Sequence, residues 1–236
     1  RVHVFESRDR AFAADEVLQE NVIFRADKTM TGDERVIVSS NQGPDDPNGV
    51  TRLVRHDDLV RPDDPHAFIH IVPNGDGDEI REQMKHLEAR LDDLRVSVST
   101  GRVVDFRAKD LLRASAGKNT VPLIYPCHFA AGYIAWPNSR TRKPNALALG
   151  PTANDLLVPS GYYVLVKRFS AKEETRRVVA SVYDPARVPS DRVAFENHLN
   201  YYHCNGSGLS MQLAKGLAAF LNSSLVDAYF RQFSGH

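Results

Sequence analysis

The sequence lacks any apolar run long enough to cross a membrane, and it has almost no cysteine. A membrane-spanning helix needs about 18 consecutive apolar residues, and no such run occurs. The first residues are too charged for a signal peptide. The two cysteines, Cys127 and Cys204, suit a reducing compartment and provide no disulfide framework, which leaves at most a single bridge. These absences favour a soluble cytoplasmic protein.

The chain also lacks a net charge, with 30 basic and 30 acidic side chains among its 236 residues. A zero balance argues against a nucleic-acid partner, because phosphate binding usually requires a basic surface. The charges are unevenly distributed, however: residues 95–177 hold 14 Lys and Arg against 5 Asp and Glu, whereas residues 1–94 hold 12 against 21. The basic middle predicts contact with an anionic partner. The alternative is that it pairs with the acidic first third inside one fold.

Hydrophobic periodicity predicts a mixed α+β fold that is mainly sheet and ends in helices. Since 42% of the residues are apolar, the chain can bury a core. Alternating apolar residues predict strands in segments 1–5, 19–25, 35–39, 51–55, 67–72, 121–125, 132–136, 162–169 and 177–183. Spacings of three and four predict amphipathic helices at 80–94 and 209–221 and a further helix after a break at 222–224. We expect the apolar stripe from Ile80 to Leu94 to face the core.

Several strings of residues resemble one known enzyme family. They are 96–107 (VSVSTGRVVDFR), 161–174 (GYYVLVKRFSAKEE), 195–200 (FENHLN) and 220–236 (FLNSSLVDAYFRQFSGH), preceded by 1–12 (RVHVFESRDRAF) and 17–24 (VLQENVIF). The later strings resemble the C-terminal target-recognition region of TaqI-type, gamma-class adenine-specific DNA methyltransferases of restriction-modification systems. The first two resemble the last strand hairpin of the catalytic sheet in the same enzymes. The resemblance implies a catalytic remnant at residues 1–28 and a target-recognition domain at 29–236.

The resemblance implies a fragment that reads DNA but has no catalytic residues. Methyl transfer in this family needs a glycine-rich loop for S-adenosylmethionine and an Asn-Pro-Pro-aromatic motif for the target adenine, and the sequence contains neither. Its two Gly-x-Gly stretches, at 75–77 and 206–208, lack the strand–loop–helix setting of a cofactor loop and are interpreted as turns. We therefore expect no cofactor in this chain and S-adenosylmethionine in the parent enzyme. The expected partners are double-stranded DNA and the missing catalytic domain.

Residues that contact phosphate are expected among the cations of the basic middle, because such groups form charge-assisted bonds with phosphate oxygens. Strand alternation sends Lys167 and Arg168 to opposite sheet faces, so one of the two would meet DNA. The alternative for Arg176 and Arg177 is a pairing with the glutamates that precede them. The full set of candidates is Arg102, Arg107, Arg140, Arg142, Lys143, Lys167, Arg168, Lys172, Arg176 and Arg177.

Residues that contact base edges are expected among uncharged polar side chains, since an Asn amide offers adenine two hydrogen bonds in the major groove. Asn197, His198 and Asn200 form the most suggestive polar cluster. Alternatively, these are turn and backbone-capping residues. In the resembled family, the target adenine is extruded into the catalytic domain while the recognition region holds the distorted duplex.

Two further patterns suggest other chemistry. The pairs Cys127–His128 and His203–Cys204 contain metal-ligand residue types, but adjacent residues on a strand point to opposite faces and the spacing is not that of a zinc site. The string at 196–203 is faintly similar to a His-Asn-His nuclease, whose metal ion would need further acidic ligands. A fragment of a restriction nuclease, or of a bifunctional restriction-methylation enzyme, is therefore the alternative function. A protein-interaction domain is a third.

Overall fold

A computed structural model describes residues 1–7, 10, 21–28, 35–62, 64–71, 77–171 and 173–232. The chain divides into two compact units. The first comprises residues 1–86 together with 228–236, and the second comprises residues 87–227. Each unit is built on its own sheet structure.

The first unit is built on a mixed sheet of four strands. These are β1 (Val2–Phe5), β2 (Val22–Phe24), β3 (Arg35–Asn41) and β4 (Val50–Arg55), in the spatial order β2-β1-β3-β4. β1 runs antiparallel to β2 and parallel to β3, and β3 and β4 form an antiparallel pair. The hairpin of β1 and β2 is therefore continued by strands that lie beyond residue 28.

One face of this sheet forms the core of the first unit. Three valines of β1 and β3 are nearly fully buried and pack with Leu59 and Ile71. The unit also contains two helices, α1 (His56–Leu59) and α2 (Gly77–Lys85). Gln232 joins the unit from the end of the chain, since its carbonyl accepts the Ile71 N–H at 2.8 Å.

The second unit contains two sheets. The five-stranded sheet has the order β11-β14-β7-β10-β6 and contains β6 (Leu112–Arg113), β7 (Thr120–Ile124), β10 (Ala146–Ala148), β11 (Leu157–Pro159) and β14 (Arg192–Phe195). The six-stranded sheet has the order β5-β15-β12-β13-β9-β8 and contains β5 (Ser97–Thr100), β8 (Phe129–Ala130), β9 (Tyr133–Ile134), β12 (Tyr163–Lys167), β13 (Ala180–Tyr183) and β15 (Leu199–His203). Two neighbouring pairs, β7 with β14 and β9 with β13, are parallel.

The two sheets of the second unit share an aromatic core. Tyr163, Tyr183 and Tyr201 of the six-stranded sheet pack with Phe195 of the five-stranded sheet, and all four rings are buried. The Phe195 ring centroid lies 5.3 Å from that of Tyr163 and 5.2 Å from that of Tyr201. Fully burying a large apolar side chain contributes roughly 1.5–3 kcal/mol. This cluster therefore fixes the two sheets, and the strand ends that they carry, against each other.

Helix α3 (Met211–Leu221) covers the other face of the six-stranded sheet. Its buried alanines and Leu217 pack on side chains of β12 and β13. Ser210 caps the helix by accepting the Leu213 N–H at 3.2 Å, as expected for serine at this position. The helix ends at Asn222, after which α4 (Ser224–Phe230) begins.

The structure confirms a mixed α+β fold that is mostly sheet with few helices. Strands occur in the predicted segments 1–5, 19–25, 35–39, 51–55, 121–125, 132–136, 162–169 and 177–183, although several are shorter than predicted. Both C-terminal helices are also present. The strand predicted at 67–72 is reduced to a single bridge between Ile69 and Val60, and residue 72 lies outside the described residues.

The prediction of a helix at 80–94 is wrong for the second half of that segment. Helix α2 ends at Lys85, and the next leucines of the predicted stripe are exposed instead of buried: Leu87, Leu91 and Leu94. A turn occupies the second half of the predicted segment. The Asp93 carboxylate accepts the Arg90 backbone N–H at 2.7 Å, and Arg95 adopts a positive φ of 54°, which ends any helical continuation. Side chains such as Asp compete with the helix for backbone groups in this way.

Candidate nucleic-acid interface

Ends of four strands of the second unit converge on one region. β7 and β14 are parallel neighbours, so Tyr125 and Glu196, which directly follow them, lie at the same edge of the five-stranded sheet. β12 and β15 are antiparallel neighbours, and the Arg168 N–H after β12 donates to the His198 carbonyl before β15 at 2.8 Å. Two residues predicted from the sequence to contact DNA, Arg168 and His198, are thereby brought together.

A buried carboxylate fixes the orientation of His198. The Glu196 side chain is 1% exposed, whereas the imidazole of His198 is 58% exposed. One Glu196 oxygen lies 2.5 Å from His198 Nδ1, and the other accepts the His198 backbone N–H at 3.0 Å. Since a carboxylate accepts hydrogen bonds, Nδ1 carries the hydrogen. The exposed ring is therefore held in one orientation at the strand ends.

Beside this pair, a lysine ammonium is held over a buried tyrosine. The Tyr125 hydroxyl donates to Asp105 Oδ1 at 2.6 Å, and Lys143 Nζ donates to Asp105 Oδ2 at 2.9 Å while lying 5.0 Å from the centroid of the tyrosine ring. Burial, together with the bond to Asp105, raises the pKa of Tyr125. The same carboxylate raises the pKa of Lys143. The phenol therefore stays neutral and the amine stays charged at physiological pH.

A buried asparagine anchors the loop between β9 and β10, which carries three of the predicted phosphate contacts. Asn145 is 7% exposed. Its Oδ1 accepts His128 Nε2–H at 3.0 Å and the Asn138 N–H at 2.8 Å, and its Nδ2 donates to the Ala114 carbonyl at 3.1 Å. Its backbone carbonyl accepts Trp136 Nε1–H at 2.6 Å. Within this loop Arg140, Arg142 and Lys143 are exposed.

The end of β12 places an exposed aromatic ring beside cations. Phe169 is 62% exposed, the Arg168 guanidinium lies 5.0 Å from its ring centroid, and the His198 ring meets it edge-on at 5.8 Å. Lys167 Nζ pairs with Glu174 at 3.4 Å. Lys167 and Phe169 line the cleft described below.

A cleft of about 390 Å³ opens between these strand ends. It is lined by the Tyr125, Lys143, Lys167, Phe169, Glu196 and His198 side chains, with Pro126 and Cys127 completing its wall. Volumes of this order are typical of sites for small organic ligands. The cleft thus combines aromatic faces, two ammonium groups and one buried carboxylate.

Two predicted phosphate contacts, Arg102 and Arg107, lie outside the cleft. Arg102 is exposed and donates to the carbonyls of Asp155 and Leu157, each at 3.2 Å. Arg107 is exposed, and its guanidinium lies 5.4 Å from the ring centroid of Phe106. Both cations are therefore accessible, but neither lines the cleft.

The structure contradicts the prediction for Arg177. This residue is 7% exposed, its backbone N–H donates to Asp227 Oδ1 at 2.6 Å, and its guanidinium donates to the Ser170 hydroxyl at 3.1 Å. Its role is to join buried segments, so it is removed from the predicted DNA contacts. Arg176 is exposed and donates to the Asn222 carbonyl at 2.5 Å. The candidate Lys172 lies outside the described residues.

The two predicted asparagines have different surroundings. Asn200 lies on β15, where its Oδ1 accepts the Thr100 hydroxyl at 3.1 Å. The Asn197 backbone N–H donates to the Val103 carbonyl at 2.9 Å, and its carbonyl accepts the Arg168 guanidinium at 3.4 Å. Both residues take part in the local structure of the strand ends, and contact between their amides and base edges stays a prediction. Both are half-buried, which leaves part of each side chain accessible.

Sequence reasoning missed four members of the site. Asp105, Tyr125, Phe169 and Glu196 were not among the candidates, yet they hold or line the cleft. Two of them directly adjoin candidate residues, since Phe169 follows Arg168 and Glu196 precedes Asn197. Their position next to predicted contacts in the sequence was the signal that could have identified them. Tyr125 and Asp105 are 20 positions apart, and local patterns carry no information on that pairing.

The described part of the chain has neither a membrane-spanning helix nor a cluster of metal ligands. No helix there is long and apolar enough to span a membrane. Nor do three or more His, Cys, Asp or Glu side chains of the described ranges come together as metal ligands would. Cys127 and Cys204 are both free thiols.

Comparison with known proteins places these features in a wider context. No family model matches this chain. The chain is 46% identical over 236 residues to the Type II methyltransferase M.PstI of Providencia stuartii and 45% identical over 238 residues to the Type II methyltransferase M.BsuBI of Bacillus subtilis. Each match covers 100% of this chain and 46% of the relative, so the chain spans about half the length of the curated relatives it matches. Over its entire length, the chain is similar to part of two Type II methyltransferases.

Proposed function

We propose that this chain is the DNA-recognition part of an adenine-specific DNA methyltransferase of a Type II restriction-modification system. The observation that carries the proposal is the match of the whole chain, at 46% identity, to part of a Type II methyltransferase. The strings at 96–107, 161–174 and 195–200 support the TaqI-type, gamma-class assignment. Two of these strings, 161–174 and 195–200, contain converging strand ends of the second unit, which supports a role for that edge in binding DNA.

In this proposal, cations position the duplex and polar side chains read its bases. Arg140, Arg142 and Lys143 on the anchored loop contact phosphates, together with Lys167 at the end of β12 and Arg168 directly after it. Arg102, Arg107 and Arg176 supply further contacts at the same unit, and Asn197, His198 and Asn200 reach base edges. Phosphate contacts set orientation and register, whereas contacts to base edges carry sequence information.

The carboxylate partners of two cleft lysines do not prevent phosphate binding. The Lys143–Asp105 pair has side chains 49% and 35% exposed, and the Lys167–Glu174 pair has side chains 30% and 40% exposed. Solvent-accessible ion pairs of this kind contribute about 0–1 kcal/mol. When a lysine binds a DNA phosphate, counterions are released from the DNA, and this favours binding. A phosphate group can therefore compete with the carboxylates for these two lysines.

Residues 1–28 are proposed to come from the catalytic sheet of the parent enzyme, and residues 29–236 to form the recognition domain, whose first strands β3 and β4 extend that sheet. Strand β2 supports this assignment, because it lies at the edge of the four-stranded sheet with Val22, Ile23 and Phe24 exposed by 42%, 54% and 57%. Apolar edge strands pair with another strand or are covered in native proteins. The catalytic domain of the parent enzyme would provide that strand.

S-adenosylmethionine is proposed to bind the part of the parent enzyme that lies outside this chain. The turn at 206–208 does not fit a cofactor, because a Cβ placed on Gly208 would meet the Gly161 backbone at 2.7 Å, so the turn packs directly on the start of β12. The other Gly-x-Gly stretch lies mainly outside the described residues. We expect titration calorimetry to detect no S-adenosylmethionine binding by this chain alone, and saturable binding would contradict this placement.

The proposal is tested by the salt dependence of duplex binding. Fluorescence anisotropy with a labelled duplex should show affinity falling with salt, with a log–log slope of about −0.9 for each phosphate neutralised. Replacing Arg142 or Lys143 with Ala should each reduce the slope by up to about 1. Lys215→Ala, an exposed lysine of α3 on the other side of the six-stranded sheet, is the matched control and should leave the slope unchanged.

Two results would contradict the proposal. One is the absence of duplex binding even at low ionic strength, and the other is an affinity that does not respond to salt. Cleavage of the duplex in the presence of Mg²⁺ would instead support the nuclease alternative. A metal-dependent cleavage assay on the same samples therefore separates the two functions.

A further inference from the structure

We propose that the cleft at the strand ends binds one unpaired base of the DNA on which the second unit sits. The inference rests on the proposed function, since it supposes a duplex at this edge. It goes beyond phosphate contact and groove reading, because it assigns a ligand of defined chemistry to a pocket inside the recognition unit. The ligand is a nucleobase with an exocyclic amino group, such as adenine or cytosine.

One wall of the cleft has an exposed aromatic ring on which a base can stack. Phe169 is 62% exposed and lies outside the buried clusters of the second unit, so its ring does not serve the core. Tyr125 and Pro126 form another part of the lining. Aromatic side chains stack on bases of any sequence, because every base has a π-face. An aromatic ring at the mouth of a cleft on a DNA-facing edge is suited to that contact.

The buried carboxylate of Glu196 favours a base over a phosphate group in the interior of the cleft. The cleft also has two ammonium groups, which are paired with carboxylates in the absence of DNA, Lys143 with Asp105 and Lys167 with Glu174, and which are the groups proposed above to contact backbone phosphates. The Glu196 carboxylate would repel a phosphate oxygen. A carboxylate instead accepts hydrogen bonds from amino groups, as Glu does from cytosine N4.

The fixed geometry of the carboxylate supports this selectivity. Each Glu196 oxygen takes one hydrogen bond from His198, through the ring at one oxygen and through the backbone N–H at the other. A carboxylate oxygen can accept more than one hydrogen bond. Glu196 is therefore held in place with lone pairs to spare, and because its side chain is 1% exposed, the exposed His198 ring has to shift for an amino group that enters the cleft to reach it.

The size of the cleft is compatible with a single base. Its volume of about 390 Å³ lies near the lower end of the range for small-ligand sites. Taking a base out of a duplex costs least when that base is already unpaired. A bulged or displaced base is therefore the form in which binding is easiest to detect.

The test uses fluorescence anisotropy to compare three duplexes that share the same paired sequence. One is fully paired, one has a single bulged adenine, and one has an abasic bulge. We expect the adenine bulge to bind at least about 5-fold more tightly than the abasic bulge, which is the lower limit of what one base–aromatic stack contributes. In Phe169→Ala this ratio should fall to about 1. Phe106→Ala is the matched control, because Phe106 is 67% exposed, carries an arginine over its ring and does not line the cleft.

A second measurement follows occupancy of the cleft directly. Cys127 is exposed and lines the cleft, whereas Cys204 is a half-buried thiol elsewhere in the second unit. Alkylation of Cys127 should slow in the presence of the adenine-bulged duplex more than in the presence of the abasic one. Alkylation of Cys204 serves as the internal reference and should be equal with both.

The outcomes distinguish failure of the inference from failure of the proposed function. If the chain binds all three duplexes but shows equal affinity and equal Cys127 protection for the adenine and abasic bulges, the cleft does not bind a base and the DNA-reading role stands. If Phe169→Ala keeps the wild-type ratio, stacking in the cleft is likewise contradicted. If no duplex binds, the proposed function and the inference both fail.

Discussion

Removing the side chain of Asn145 should loosen the loop that carries Arg140, Arg142 and Lys143. In the structure this side chain accepts hydrogen bonds from His128 and Asn138 and donates one to Ala114, all inside the protein. Asn145→Ala removes these bonds and leaves buried polar partners without them. The expected result is a less stable second unit and weaker duplex binding, even though Asn145 itself does not contact DNA.

The magnitude follows from the partners left behind. His128 is 1% exposed, so its Nε2–H has no direct route to solvent, while Asn138 is half-buried. Leaving a buried donor or acceptor unsatisfied costs about 1–3 kcal/mol. With one fully buried donor and one partly accessible donor, we expect the free energy of unfolding to fall by about 2–4 kcal/mol.

Urea denaturation followed by tryptophan fluorescence measures this effect. Trp136 is the single tryptophan of the chain, and its indole donates to the Asn145 backbone carbonyl, so the signal reports on this loop. Arg140→Ala is the control, because an exposed side chain in the same loop should change stability by less than about 0.5 kcal/mol. A loss of less than about 1 kcal/mol in Asn145→Ala, with an unchanged fluorescence spectrum, would refute the anchoring role.

Three further predictions follow. Burial lowers the pKa of His128 from its ordinary value of 6.5, so the unfolded chain takes up a proton first as pH falls. The contribution of neutral His128 to stability is thus complete above about pH 6.5 and is lost on acidification. Urea denaturation at several pH values should show that the free energy of unfolding depends less steeply on pH in His128→Gln than in the wild type. An identical pH dependence in both would contradict a lowered pKa of His128. A Cβ on Gly101 would overlap a backbone carbonyl whereas one on Gly117 would meet open space, so Gly101→Ala should cost about 1–3 kcal/mol and Gly117→Ala should be nearly neutral in thermal denaturation. In the parent enzyme, Asn197→Ala or Asn200→Ala should relax methylation specificity at one base position by about 1–3 kcal/mol in a randomised-site library. If both variants keep the wild-type methylation specificity but are less stable, the Asn197 and Asn200 amides support the fold and do not read bases.

The strands were predictable because their signal is local. Alternation of apolar residues in 35–39, 121–125 and 177–183 is a property of a few neighbouring residues, and each of these segments forms a strand. The helix at 209–221 was predictable for the same reason, with Ser210 as its N-cap. The failure at 80–94 shows the limit of periodicity, because the same spacing continued past a turn that one aspartate stabilises.

The site was only partly predictable because it depends on contacts between distant segments. The basic middle drew attention to Lys143 and the polar cluster to His198, but nothing local indicated that Lys143 would reach Asp105, which is 38 positions away. Arg177 shows the opposite error. It stands beside Arg176 in a basic string, and its burial against Asp227, 50 positions later, has no counterpart in the sequence pattern.

The central claim, that the second unit binds DNA at its converging strand ends, is tested most directly by amide hydrogen exchange of the chain with and without a duplex. The account predicts that DNA slows exchange in the loop at 138–144, after β12 at 168–169 and around 197–200. Residues of the first unit, such as those of β3 and β4, should exchange at unchanged rates. Protection confined to the first unit, or equal exchange at these three segments with and without saturating duplex, would contradict it.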